Sequence, residues 1–187
     1  MSDKGLTETS KFLSYILRHE PHSIGLTLDS EGWGSIDALI AGAAGVGRVL
    51  DRRQIEAVVQ GNDKKRFSLS DDGLQIRAVQ GHSTATVSLQ YVPKTPPACL
   101  YHGTATRFLP SIEQQGLVPG SRHHVHLSED AATAIAVGRR YGQVVLLKID
   151  ALAMQQAGLA FYQADNGVWL TDHVPIAFIH RGAEPDQ

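Results

Sequence analysis

The sequence predicts an α+β protein built in two lobes, and three observations carry that reading. In the first half, apolar residues recur at helical spacing, and two alternating segments then meet across an Asp-Gly turn. Pro93, Pro96 and Pro97 next interrupt the pattern, a stiff and extended composition suited to a connector. Beyond them lie short apolar strands with small helices between. Their spacing is too tight for regular βαβ repeats, which favours α+β over a doubly wound sheet. The chain accordingly divides into a lobe over 1–91, a Pro-rich linker over 92–97 and a second lobe over 98–187.

Length and charge bound the possibilities. A chain of 187 residues holds one large domain or two small ones with modest cores. Its 42% hydrophobic and 19% charged residues are those of a globular protein. Lys and Arg number 17 against 19 Asp and Glu, a net charge of -2, so a polyanion would have to be met by a local basic cluster. The single Cys99 excludes an internal disulfide framework and a Cys-rich zinc site, which fits a reducing cytosol. No apolar run approaches the roughly 18 residues of a membrane span, and Met1-Ser2-Asp3-Lys4 opens no signal peptide. A cytoplasmic monomer with no membrane partner is expected.

Thr7 is a fitting N-cap, and Phe12, Leu13, Ile16 and Leu17 recur at helical spacing, so a first helix of about 6–19 is predicted. Pro21 biases Glu20 away from the helical region and ends it near His19. The terminus Leu17-Arg18-His19-Glu20-Pro21 sets a guanidinium beside an imidazole. Read locally, these are the cations that suit the negative end of a helix dipole. Ile24, Leu26 and Leu28 alternate as a short strand would, and Asp29–Gly34 is a turn whose Trp33 folds back on the core. Ser35 caps a second helix through Ile36, Leu39 and Ile40. The glycine-rich Ala41–Gly47 lacks the lysine and preceding strand of a phosphate loop, and it reads as a loose connector.

Asp51 and Gln54 form a capping box ahead of a third helix with Ile55, Val58 and Val59 on its buried face, and Gly61-Asn62-Asp63 ends it. Arg66–Leu69 and Leu74–Ala78 flank Asp71-Asp72-Gly73 as a β-hairpin. Period two turns Phe67 and Leu69 inward and Arg66 outward, beside Lys64 and Lys65. A solvated face is the ordinary role of such a basic run; contact with an RNA backbone is the functional one. Helices followed by a hairpin wing resemble a winged-helix domain. In Gln80-Gly81-His82-Ser83, the glycine could permit a tight backbone approach or simply form a loop.

In the second half, Cys99-Leu100-Tyr101 is a strand running into His102-Gly103-Thr104. A helix with Phe108, Leu109 and Ile112 follows and ends at Gly116. Val125 and Leu127 alternate with His124, His126 and Ser128 as a strand. Ser128 is then expected to cap a helix whose first turn holds Glu129 and Asp130 and which runs to Gly138. Val144–Ile149, Phe161-Tyr162, Val168–Leu170 and Ile176–Ile179 complete the strands. No GxGxxG follows a strand, so a Rossmann site is unsupported. His123 and His124 point to opposite faces, and no neighbouring Cys or acid completes a tetrahedron with His124 and His126, so no metal is expected.

Leu17-Arg18-His19-Glu20-Pro21, Lys65-Arg66-Phe67, Arg77–Ser83, Tyr101-His102-Gly103-Thr104, Arg122–Ser128 and Asn166–Thr171 stand in this order along nearly the whole chain. Together they resemble the RNA 2′-phosphotransferases, the tRNA 2′-phosphotransferase enzymes associated with tRNA splicing. The resemblance implies an N-terminal winged-helix RNA lobe and a C-terminal ADP-ribosyltransferase-like lobe that binds NAD as a consumed co-substrate. It also implies a two-step reaction. An internal RNA 2′-phosphate first attacks C1″ of the nicotinamide ribose, and O2″ then attacks phosphorus, giving 2′-OH RNA and ADP-ribose 1″,2″-cyclic phosphate.

The family's Arg-His-Arg-Arg tetrad carries over onto Arg18, His19, Arg66 and Arg122. Guanidinium forks match phosphate oxygens bidentately, and a histidine can exchange protons near neutral pH. His102, Gly103 and Thr104 would hold the ribose and nicotinamide side of NAD, and Ser128 matches the family's second motif. Arg139 would face the NAD phosphates, or else be a surface arginine at a helix end. Val168-Trp169 stands where wider ADP-ribosyltransferases carry a catalytic glutamate, as in the phosphotransferase family. Two other outcomes stay open on these residues: ADP-ribosylation of RNA or DNA terminal phosphates, and a non-catalytic RNA- or NAD-binding module.

Overall fold

The computed structural model describes residues 3–61 and 65–182. Helices and antiparallel sheets are mixed throughout, an α+β fold, and the chain forms two compact units, Met1–Gln90 and Tyr91–Gln187.

In the first unit, α1 (Asp3–Arg18) starts before Thr7, which is an interior helical residue and not the cap, and the helix buries Leu13, Ile16 and Leu17. The helix closes where His19 and Glu20 N–H both donate to the Tyr15 carbonyl, at 3.0 and 3.2 Å. The strand expected around 24–28 does not form. Pro21 instead opens a 3₁₀ turn, Pro21–Ile24, ended by Gly25 at φ 68°, and Leu26 N–H folds back onto the Pro21 carbonyl at 3.0 Å. Leu26 and Leu28 are buried all the same, so their alternation reported burial and not a ladder. The strand lies further on, at β1 (Gly34–Ser35).

Ser35 caps α2 (Ile36–Gly45) by accepting from Ala38 N–H at 3.3 Å. The glycine-rich stretch is not a connector as far as Gly45, because the helix runs through it. A Cβ on Gly42 would lie 2.2 Å from the Ile24 carbonyl oxygen, so this glycine allows α2 to seat on the preceding turn. The capping box of α3 (Arg52–Gln60) is made in both directions, Gln54 N–H to Asp51 at 2.8 Å and Asp51 N–H to Gln54 at 3.0 Å. β2 (Phe67–Leu69) and β3 (Gln75–Ala78) pair antiparallel with Phe67 opposite Ala78, and β1 adds to the other edge in the order β1-β3-β2. Phe67 is buried in the core and Leu69 packs against it, while Arg66 is half-buried and not fully outward. Trp33 is half-buried beside the core, with the Arg77 guanidinium 4.6 Å from its ring centre.

In the second unit, β4 (Leu100–Ala105), β6 (Val144–Ile149) and β9 (Ile179–Arg181) form one antiparallel sheet in the order β4-β6-β9. β5 (Val125–Leu127), β8 (Trp169–Thr171) and β7 (Tyr162–Gln163) form another in the order β5-β8-β7. Reciprocal backbone bonds between Tyr101 and Ser128, at 2.7 and 2.9 Å, join the two sheets. A 3₁₀ turn, Thr106–Phe108, leads into α4 (Leu109–Gln115). The expected strand at Ile176–Ile179 is a 3₁₀ turn over Ile176–Phe178, closed by Phe178 N–H on the Pro175 carbonyl at 3.1 Å, and pairing begins only at Ile179. α6 (Ala151–Gln156), too short to leave a periodic signal, buries Ala151 and Met154. Lys94 N–H donates to the Phe161 carbonyl at 2.8 Å and its ammonium reaches Gln163, so the proline-rich segment lies along this unit.

The helix after β5 is α5 (Ala131–Gly138), and its cap is Asp130 rather than Ser128. The Asp130 carboxylate accepts from Thr133 N–H at 2.7 Å and from Ala132 N–H at 3.4 Å. Ser128 lies two residues too early and exchanges hydrogen bonds with the Asp130 backbone. α5 packs on β4 backbone to backbone. A Cβ on Gly103 would meet the Ala134 carbonyl oxygen at 1.7 Å, and one on Gly138 would meet Thr104 N at 2.9 Å.

Candidate active site

In the first unit, one loop organises the basic residues. Ser83 N–H donates to the Arg18 carbonyl at 2.9 Å, and Ser83 Oγ lies 2.8 Å from His19 Nδ1. The loop thus holds the end of α1 by its backbone and by its imidazole. The same strand exit binds Arg66, whose carbonyl accepts from Val79 N–H at 3.1 Å. Val79 and Ser83 are separated by four chain steps, at most about 14 Å when extended, so the backbones of Arg18, His19 and Arg66 are gathered at one edge. Gly81, at φ 85°, makes the left-handed bend between them, and His82 beside it is 3% exposed. Arg18 and His19 are half-buried. Lys65 is exposed in the left-handed region at φ 40°, and Lys64 lies outside the described residues.

In the second unit, a relay links three of the basic side chains. Arg122 Nη1 donates to His126 Nδ1 at 3.0 Å, and the His126 carbonyl lies 3.0 Å from His102 Nδ1. An arginine can only donate, so His126 Nδ1 accepts. A carbonyl can only accept, so His102 Nδ1 carries the proton and its Nε2 keeps a lone pair while the ring is neutral. Burial holds His102 below the usual histidine range, the His126 carbonyl pulls the other way, and the Arg122 guanidinium adds to the depression. While neutral, the ring therefore presents an acceptor nitrogen at Nε2.

The remaining predicted positions are placed less openly. Gly103 has its Cβ direction filled by α5, and Thr104 is 5% exposed; each could meet a ligand only through backbone. Ser128 is half-buried in the bridge to Tyr101, and Arg139 is exposed at the end of α5. Trp169 is 3% exposed and its indole N–H donates to Glu129 at 2.7 Å. The histidines of the 123–126 segment part ways. His123 is exposed, while His124 packs edge-on to Tyr91 and Tyr162 at 5.8 and 5.7 Å and faces Asp172 at 3.6 Å. Ser83 and His126 have no individual role in the sequence reading. Only the bend at Gly81 and the same-side spacing of His124 and His126 hinted at them.

Known proteins resemble this chain closely. A family model described as "RNA 2'-phosphotransferase, Tpt1 / KptA family" matches residues 4–173. A Pseudomonas fluorescens protein named "Probable RNA 2'-phosphotransferase" is 68% identical over 179 residues, covering 96% of this chain and 98% of its own. A Pseudomonas aeruginosa protein of the same name is 67% identical over 181 residues, covering 97% and 100%. One from Pectobacterium carotovorum is 62% identical over 179 residues, covering 96% of each. With its helix end, its hairpin edge and its histidine–arginine relay built from the matched residues, the chain belongs to the RNA 2′-phosphotransferase family, a family of transferases.

Proposed function

We propose that the protein removes an internal 2′-phosphate from RNA and consumes NAD in doing so. The observation that carries this reading is the tether of Ser83 to both Arg18 and His19, on the loop that also binds the Arg66 backbone. It gathers the backbones of two arginines and one imidazole at one edge, and guanidinium forks with a proton-exchanging group suit a phosphate dianion. On this reading the first unit is the winged-helix RNA lobe, with Lys64 and Lys65 meeting the strand backbone. The second is the ADP-ribosyltransferase-like NAD lobe. The cytoplasm is the compartment that fits the single Cys99.

In the first step a 2′-phosphate oxygen forms a bond to C1″. The C1″–N bond breaks, and its electron pair leaves with nicotinamide. The phosphate is already anionic, so no glutamate is needed to activate it, which agrees with a buried Trp169 in the third motif. His102 Nε2 accepts from a ribose hydroxyl and orients the sugar, while the backbones of Gly103 and Thr104 and the Ser128 hydroxyl shape the nicotinamide side. Arg139 faces the diphosphate. In the second step O2″ gives up its proton and bonds to phosphorus. The P–O2′ bond breaks, and O2′ takes up a proton. Arg18, Arg66 and Arg122 neutralise the non-bridging oxygens, where charge grows, and His19 moves the proton.

The test is a mixture of the protein, NAD and a short RNA bearing one internal 2′-phosphate, with nicotinamide, RNA and ADP-ribose cyclic phosphate followed together. Matched release of nicotinamide, 2′-OH RNA and cyclic phosphate is expected. A stable ADP-ribosylated RNA from the wild type would mean that transfer stops after the first step, as in terminal ADP-ribosylation. No turnover with intact binding would mean a non-catalytic module.

A further inference from the structure

The second unit carries an aromatic and basic patch that none of the roles above uses. Phe108 and Tyr141 are 40% and 45% exposed, and their rings meet edge to face at 6.4 Å. The Arg107 guanidinium sits 4.8 Å from the Phe108 ring centre, and Arg140 is exposed beside Tyr141. Neither arginine has a carboxylate within ion-pair distance among the described residues, whereas Arg181 pairs with Glu113 at 2.9 Å and Arg52 reaches Asp37 at 3.7 Å. In a chain of net charge -2, two uncompensated arginines around two exposed rings form a local inversion of sign.

The patch is also rigidly presented. Phe108 ends the 3₁₀ turn Thr106–Phe108 after β4, and Tyr141 ends the 3₁₀ turn Arg139–Tyr141 before β6. Those strands pair from Ala105–Val144 inward, and Thr106 N–H donates to the Gln143 carbonyl at 2.9 Å. Exposed rings rimmed by arginines have the composition of a recognition surface. Among occupants, a membrane interface takes arginines and rings too, but it asks for no alternation of ring and charge. A second copy would bring arginine against arginine. Single-stranded RNA offers a π-face at every base and a phosphate between each pair, which matches both halves of the patch.

We infer that Phe108, Tyr141, Arg107 and Arg140 form a stacking platform for single-stranded RNA. This rests on the reading above that RNA is the substrate. The contact is sequence-tolerant, because ring stacking and phosphate pairing read no base edges.

The test uses the full-length protein and a labelled single-stranded oligoribonucleotide without a 2′-phosphate, titrated by fluorescence anisotropy over a salt series. Its outcome is therefore independent of NAD chemistry. Tyr141→Ala with Phe108→Ala should weaken binding about tenfold or more, and Tyr141→Trp should retain it. Arg107→Ala with Arg140→Ala should flatten the dependence of log affinity on log salt by about 1.4, the share of two phosphates on a single strand. Unchanged affinity and slope in correctly folded variants, or no binding by the wild type at low salt, would overturn the inference. So would variants that keep RNA affinity and lose NAD affinity, since the patch would then serve the nucleotide co-substrate.

Discussion

His19 and His102 are both held at Nδ1, one in each unit, but by different acceptor chemistry. His19 faces a serine hydroxyl at 2.8 Å, and His102 faces a backbone carbonyl at 3.0 Å. A hydroxyl rotates and can either donate or accept, so this partner is kept by either tautomer of His19. A carbonyl only accepts, so His102 is fixed as the Nδ1–H tautomer. The two environments teach the same lesson twice: the partner of the nitrogen that does not react decides what the other nitrogen can do. On the proposed reading, one ring moves a proton and the other holds still.

The most damaging way to probe this contrast is to leave His19 in place and remove the arginines whose backbones bond to the same loop. Arg18→Ala or Arg66→Ala should slow release of 2′-OH RNA about 100-fold to 1000-fold. Nicotinamide release in a single turnover should suffer less, so ADP-ribosylated RNA accumulates on a gel. Variants that lose NAD binding instead and process that RNA normally would reverse the assignment.

A sharper cut is Ser83→Ala. It removes a single hydrogen bond, and turnover should fall about 3-fold to 10-fold, with one limb of the pH–rate profile displaced. Ser83→Thr keeps a hydroxyl and should restore both. A fall in rate without displacement of the profile would make Ser83 a structural tie of the loop only.

The smallest effect is on stability. Burial depresses His102 in the folded protein, so between its folded value and the unfolded value near 6.5 the unfolded chain binds more protons. The stabilisation is complete above about pH 6.5 and is lost as pH falls below it. His124 is depressed by burial as well, with Asp172 opposing and His123 adding to it, and works in the same direction. Thermal melts from pH 7.5 to 5 should show a falling midpoint, and His102→Gln should flatten the fall. A pH-independent gap between the two proteins would remove the assigned cause.

How much of this was legible depends on how local the signal was. The first helix, the Asp51–Gln54 box and the hairpin about Asp71-Asp72-Gly73 are each written within a few residues, and each formed. The failures were questions of partner. Leu26 and Leu28 alternate, yet β3 pairs with Gly34 and Ser35. Gly42 reads as loop chemistry until the Ile24 carbonyl is found beside it. Ser128 and Asp130 are both good caps, and only the end of β5 chooses between them. Resemblance marked Arg18, His19, Arg66 and Arg122, but no local pattern could mark Ser83, whose task depends on a histidine 64 residues away.

The close seat of α5 on β4 has a consequence for variation. Between Gly103 and the Ala134 carbonyl there is no room for a single carbon, and a Cβ on Gly138 would press on Thr104 N at 2.9 Å. The height of the strand bearing His102 is therefore set by atoms that are missing, not by side chains that could be exchanged. A library randomised around the proposed NAD side should find the neighbours of these two glycines negotiable and the glycines themselves irreplaceable, since a replacement lifts the helix and carries the imidazole out of register.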